Sequence, residues 1–180
     1  MQIRCALVGM PGSGKSTVGR QLAHRTGVPF IDLDQRLEQA LGTSIRNFFE
    51  TEGEARFRDL ESEMLAEVAQ QPGGMVLSTG GGAVLRPENR QVLRALGTVL
   101  YLRASPEEIF KRIRHDRSRP LLQVPNPMER LRELLAQRDG LYRETAHYVI
   151  ETGRPTVSTL VNMVMMQLEM AASGAGESAA

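Results

Sequence analysis

At 180 residues, 41% of them apolar and only 4% aromatic, the chain suits one α/β domain and leaves little room for a second. A formal charge of +1, from 22 basic and 21 acidic residues, gives no global attraction to nucleic acid or to an anionic membrane. The single cysteine, Cys5, can form no internal disulfide, and no apolar run nears the ~18 residues of a membrane span. No basic, apolar and small-residue leader precedes the first glycine motif, so a cytoplasmic protein is expected.

The first β-type run is Ile3–Val8, and a helical pattern over Lys15–Thr26 follows it. Further strands are expected at Pro29–Leu33, Met75–Ser78, Thr98–Leu102 and Tyr148–Glu151. Between and after them, helical periodicity marks Asp34–Leu41, Glu54–Gln70, Pro87–Ala95, Pro106–Arg114, Pro127–Arg138 and Thr156–Ala171. Short strands alternating with helices predict a parallel sheet wrapped by helices, as one domain over 1–170. The Ser, Gly and Ala of 171–180 cannot bury a core, and a disordered tail is expected there. The rhythm breaks at about 113–127, where three prolines and several arginines predict a long loop of the kind that serves as a lid. No aromatics are interleaved there for base stacking.

Between the first strand and helix stands Gly9-Met-Pro-Gly-Ser-Gly-Lys-Ser-Thr17, which satisfies the G-x-x-x-x-G-K-[ST] pattern in the required strand-to-helix context. Its glycines let backbone N–H groups turn inward around phosphate oxygens, and the following helix adds the positive end of its dipole. Lys15 supplies an ammonium for the β- and γ-phosphates, and the Ser16 hydroxyl can ligate Mg²⁺. The motif alone establishes nucleotide binding. A GTPase would also need an Asn-Lys-x-Asp element, and the chain's lysines, Lys15 and Lys111, offer none.

The acceptor side is read from residues at the carboxyl ends of other strands, where ligands sit in open α/β sheets. Asp32 and Asp34 close the second strand and could divide the work between a metal-bound water and the proton of an acceptor hydroxyl. Asp34 could equally cap the next helix. Gly80, Gly81 and Gly82, after the third strand, would expose backbone amides at the same edge, or form only a tight turn. Arg58 falls on the edge of an apolar helical stripe with Glu61 one turn away, an arrangement open to a solvated ion pair as well. Arg138 lies on the face formed by Leu131, Leu134, Leu135 and Tyr142, unless Asp139-Gly140 ends that helix first. Two guanidinium forks would suit a carboxylate or phosphate. Arg119, before Pro120 in the expected lid, could neutralise charge on the γ-phosphate during transfer. His24, His115 and His147 show no metal-ligand spacing.

In order along the chain, Gly9–Thr17, Asp32-Leu-Asp34, Gly53-Glu-Ala-Arg-Phe-Arg58, Thr79-Gly-Gly-Gly82, Arg119-Pro-Leu-Leu122 and Arg138-Asp-Gly-Leu-Tyr142 resemble the shikimate kinase family. The resemblance covers roughly Ile3 to Glu151. It implies a P-loop NTPase-type α/β/α fold with a five-stranded parallel sheet in the order 2-3-1-4-5, and ATP-dependent phosphorylation of the 3-hydroxyl of shikimate by a monomer. It further implies that Gly12, Ser13, Gly14, Lys15, Ser16 and Thr17 bind ATP, with Ser16 and Asp32 serving Mg²⁺. Asp34, Arg58, Gly80, Gly81, Gly82 and Arg138 would hold shikimate, and Arg119 would reach the phosphates. Adenine contacts fall by the same resemblance on Arg112, Arg154 and Pro155. Rival readings are a gluconate kinase, a nucleoside monophosphate kinase and a nucleotide-binding regulator that transfers nothing. Asp34 beside the phosphate loop discriminates against the last.

Overall fold

A computed structural model describes residues 2–116, 120–153 and 156–177. Five strands, β1 (Arg4–Val8), β2 (Phe30–Asp32), β3 (Met75–Ser78), β4 (Thr98–Arg103) and β5 (Tyr148–Glu151), form one parallel sheet in the order β2-β3-β1-β4-β5. The helices are α1 (Lys15–Thr26), α2 (Leu33–Leu41), α3 (Ile45–Glu52), α4 (Glu54–Gln70), α5 (Pro87–Leu96), α6 (Pro106–Ile113), α7 (Pro127–Thr145) and α8 (Val157–Glu177). Both the expected order and the parallel sense of the sheet are observed.

Successive residues of a strand face opposite sides of a sheet, and β1 divides the core on that basis. Cys5 and Leu7 pack with Val18 and Leu22 of α1 and with Val161 and Val164 of α8. Ala6 and Val8 face the other way, toward Leu37 of α2, Phe57 and Leu65 of α4, Leu93 of α5, Ile109 of α6 and Leu131 of α7. A strand apolar on both faces belongs in the middle of a three-layer sandwich, which is where β1 lies. At its opposite end the sheet is pinned by Arg4. Its guanidinium donates to the carbonyl oxygens of Ala69 at 2.6 Å, Gln71 and Gly73 at 2.8 Å, and Leu96 at 2.9 Å. One cation thus closes the carboxyl ends of both α4 and α5, which favour positive charge.

Three differences from the sequence reading have physical causes. An additional helix, α3, is capped by Ser44, whose hydroxyl accepts from the Asn47 amide at 3.1 Å. It has no fully buried residue and instead presents Phe48 and Phe49 to Phe57 across centroid distances of 6.4 and 4.9 Å. Helix α7 continues through Asp139-Gly140 to Thr145, held by buried Tyr142 and Thr145 beyond the glycine. Helix α8 runs to Glu177, into the segment expected to be a disordered tail; its alanines sustain a helix already anchored by Leu160, Val164 and Leu168. In the segment read as a lid, α6 ends at Ile113 and a short 3-10 turn spans Pro120–Gln123 before α7. No helix among the described residues is long and apolar enough to cross a membrane.

Candidate active site

Register places the carboxyl ends of the strands together. Leu7 and Asp32 both pair with Ser78, and Val8 pairs with Tyr101. The loops after β1, β2 and β3 therefore open on one edge, at the point where successive crossovers leave β1 in opposite directions.

The loop after β1 is wound for anions. Gly12 and Gly14 hold φ values of +80° and +99°, which side-chain-bearing residues rarely adopt, and Gly14 is the N-cap of α1. Lys15 is buried, and its Nζ donates to the carbonyl oxygens of Gly9 at 2.8 Å and Met10 at 2.9 Å. The Ser16 hydroxyl donates to Asp32 Oδ2 at 3.2 Å. Asp32 Oδ1 accepts from the Gln35 amide, so Asp32, and not Asp34, is the cap of α2. That settles the alternative left open by the sequence: Asp34 lies in the first turn and has its carboxylate available to the site.

Two cavities flank this carboxylate. One, of about 400 Å³, is lined by the phosphate loop, including Gly12, Gly14, Lys15, Ser16 and Thr17, together with Asp32 and Arg112. The other, of about 360 Å³, is lined by Arg58, Glu61, Gly82, Arg130 and Arg138 around an apolar wall of Ile45, Phe49, Phe57 and Leu134. Pro11, Asp34, Gly80 and Gly81 line both. The cavities are two chambers with one wall.

Side chains crowd the three glycines in turn. A β-carbon on Gly80 would lie 2.5 Å from Asp34 Oδ1, one on Gly81 2.6 Å from Pro11 Cδ and 3.3 Å from Arg138 Nη1, and one on Gly82 would overlap the Arg58 guanidinium. Close approach of side chains to backbone, rather than turn geometry alone, accounts for the triple glycine. Arg58 Nη1 donates to Glu61 Oε1 at 2.8 Å, and its guanidinium carbon lies 5.3 and 5.9 Å from the centroids of the Phe57 and Phe49 rings. Glu61 is only 1% exposed. Burial raises its pKa, against the pull of Arg58, Arg138 and Arg86. Loss of water likewise lifts Asp34 to about 6; Glu61 and Asp32 add to the rise, while Lys15 and Arg58 oppose it. A carboxylate poised near neutrality between two chambers is suited to exchange a proton there.

Arg112 donates to the carbonyl oxygens of Ser13 at 3.0 Å, Gly12 at 3.3 Å and Thr152 at 3.0 Å, tying the phosphate loop to the end of β5. Arg119, Arg154 and Pro155 fall outside the described residues. Sequence reasoning missed Pro11, which both chambers share, and the aromatic wall of Phe49 and Phe57. The wall depends on α3, and an eight-residue amphipathic stretch after Ser44 was its signal.

The chain is similar to known proteins along nearly its whole length. The sequence model of the family described as shikimate kinase matches residues 11–169. A shikimate kinase of Paracidovorax citrulli is 59% identical over 172 residues, covering 94% of each chain. That of Ralstonia nicotianae is 57% identical over 164 residues, covering 91% of this chain and 86% of its own. Among solved structures, the shikimate kinase from Acinetobacter baumannii in complex with shikimate superposes with a TM-score of 0.88 at 40% identity, over 94% of both chains. Matched along nearly its whole length by the family model and by these relatives, this chain belongs to the shikimate kinase family.

Proposed function

We propose that the chain transfers the γ-phosphoryl group of ATP to the 3-hydroxyl of shikimate, giving shikimate 3-phosphate and ADP, a step in aromatic amino-acid biosynthesis. The observation that carries this is the shared wall: Asp34 borders a chamber lined by the phosphate loop on one side and a chamber lined by Arg58, Arg130 and Arg138 on the other.

In this reading Gly12, Ser13, Gly14, Lys15, Ser16 and Thr17 hold the phosphates, and Arg112 with Arg154 and Pro155 borders the adenine. Arg58 and Arg138 grip the ring carboxylate as two forks, and the glycine amides and Asp34 orient the ring. Asp34 accepts the hydroxyl proton as the oxygen attacks the γ-phosphorus. The bond from that phosphorus to the β–γ bridging oxygen breaks, and ADP leaves with the electron pair. Arg119 neutralises the charge that develops on the transferring group. The formal charge of +1 offers no attraction to large polyanions, and the chain is read as a monomer acting on ATP and shikimate without a nucleic-acid or membrane partner. The lone buried cysteine makes no demand for an oxidising compartment, which supports a cytoplasmic setting.

A divalent cation fits the donor set. Ser16 Oγ and Asp32 Oδ2 are hard oxygen donors 3.2 Å apart beneath the phosphate chamber, and the described residues contain no cluster of three His, Cys, Asp or Glu that could hold an ion without phosphate. Mg²⁺ suits that pattern, since it keeps waters and phosphate oxygens and takes few protein ligands. Ser16 would ligate it directly and Asp32 through water; when bound it neutralises phosphate charge.

The test is ADP release with ATP and Mg²⁺ against shikimate, gluconate and CMP in parallel. Turnover confined to shikimate is expected. Preference for gluconate or CMP would overturn the acceptor assignment while leaving the nucleotide chamber intact.

A further inference from the structure

The glycine turn is held from behind by α7. Tyr142 donates its hydroxyl hydrogen to the carbonyl oxygen of Gly81 at 2.6 Å, across 61 positions of sequence. The direction is unambiguous, because a carbonyl oxygen can only accept. In a planar trans peptide, C=O and N–H point opposite ways, so anchoring the Gly81 carbonyl aims the Gly82 N–H away from Tyr142. The ring of Tyr142 is fully buried and lies 4.9 Å, centroid to centroid, from that of Tyr101, whose hydroxyl is fixed by Asp139 at 2.8 Å. Arg138 stands one turn earlier on the same helix, and its Nη1 comes within 3.3 Å of where a β-carbon on Gly81 would be. One helix face therefore carries both the second arginine fork and the pin for the backbone beside it.

We propose that Tyr142 is a positioning residue for the acceptor: it fixes the Gly81–Gly82 peptide and, through α7, sets that peptide and Arg138 as one rigid surface before shikimate arrives. The inference rests on the assignment of the arginine-lined chamber to shikimate. Burial pushes the Tyr142 hydroxyl up to about 12, against the opposing pull of Arg138 and Arg58, so it remains a donor throughout the working pH range.

Tyr142→Phe removes the hydroxyl alone and leaves a buried carbonyl without its partner. Calorimetry should show shikimate bound roughly tenfold more weakly and ADP bound within about twofold of wild type. Tyr101→Phe is the control: it deletes the neighbouring buried hydroxyl, and should lower thermal stability while leaving shikimate affinity unchanged. Unchanged shikimate affinity in Tyr142→Phe, equal weakening of ADP, or an equal effect from Tyr101→Phe would each overturn the proposal. A second measurement does not depend on Tyr142→Phe folding stably. Protein grown on 3-fluorotyrosine carries three fluorine signals, from Tyr101, Tyr142 and Tyr148, with those of Tyr101 and Tyr148 assigned by substituting each in turn with phenylalanine. The Tyr142 signal should shift on adding shikimate and stay in place on adding ADP; a signal unmoved by saturating shikimate refutes the role. Failure of wild type to bind shikimate at all would instead refute the acceptor assignment itself.

Discussion

Asp34 and Gly80 compete for the same space: a β-carbon on Gly80 would lie 2.5 Å from Asp34 Oδ1, nearer than real β-carbons ever approach an oxygen. The backbone of Asp34 is held in the first turn of α2 that Asp32 caps, so a β-carbon at Gly80 would push the carboxylate out of its present position. Gly80→Ala should fold, since Gly80 does not occupy a left-handed conformation. Its turnover should nonetheless fall roughly 10²-fold, the scale expected when a reacting group is displaced by about 1 Å. Steady-state assays with both substrates saturating, beside a thermal melt, check this; an active Gly80→Ala would show that Asp34 tolerates displacement.

Protonation of Asp34 gives a pH signature. Its pKa is raised to about 6, chiefly by burial, so the carboxyl is neutral below that pH and able to take a proton only above it. Activity should therefore fall on the acid side with an apparent midpoint of about 6 in kcat/KM for shikimate. Asp34→Asn should lose roughly 10²–10⁴-fold in turnover and flatten that limb. A pH profile of the variant that keeps the same limb would assign the titration to another group.

The Arg58 fork can be tested with the ligand as one partner of a double-mutant cycle. Arg58 is held by Glu61 at 2.8 Å and by Glu54 at 3.2 Å, so its orientation is set before binding. Arg58→Lys and Arg138→Lys keep the charge and lose the planar pair of donors; both should weaken shikimate by about tenfold and leave ATP unchanged. A neutral amide analogue of shikimate should bind wild type poorly. Against Arg58→Ala its disadvantage should shrink, because the group it fails to satisfy is gone. Equal penalties in both proteins would show that Arg58 does not read the carboxylate.

Stability has a separate determinant at the far end of the sheet. Arg4→Met removes four charge-assisted bonds to the ends of α4 and α5. Water replaces part of them, so the loss should be about 2 kcal/mol, or about 4–8 °C in the thermal midpoint. At moderate temperature kcat should be unchanged, because Arg4 lies away from both chambers. A lowered kcat with an unchanged midpoint would contradict this division.

Features carried by local pattern were legible in the chain. The apolar run Cys5–Val8 and the glycines that follow it specify β1 and the phosphate loop within a dozen residues. Asp34 and Arg58 were legible as candidates because strand ends and helical stripes place them. Which aspartate caps α2 was not, since the answer turns on whether the helix begins at Leu33 or two residues later, at Gln35. Helix α3 was missed because its aromatic residues find their partner, Phe57, only after the chain turns back. The reach of α7 past Gly140 depends on Tyr142, whose partner Gly81 is equally remote. Periodicity reports neighbours on one element and is silent about contacts across the fold.

Because Pro11, Asp34, Gly80 and Gly81 belong to both chambers, a wall one residue thick separates their contents. A single molecule with a polyphosphate at one end and a ring carboxylate at the other, joined past that shared wall, would address both. Its second end would meet its site at an effective concentration of roughly millimolar, and would gain avidity in proportion. Two modest ligands joined across the position of the transferred phosphoryl group thus define a route to bivalent inhibition that neither chamber offers alone.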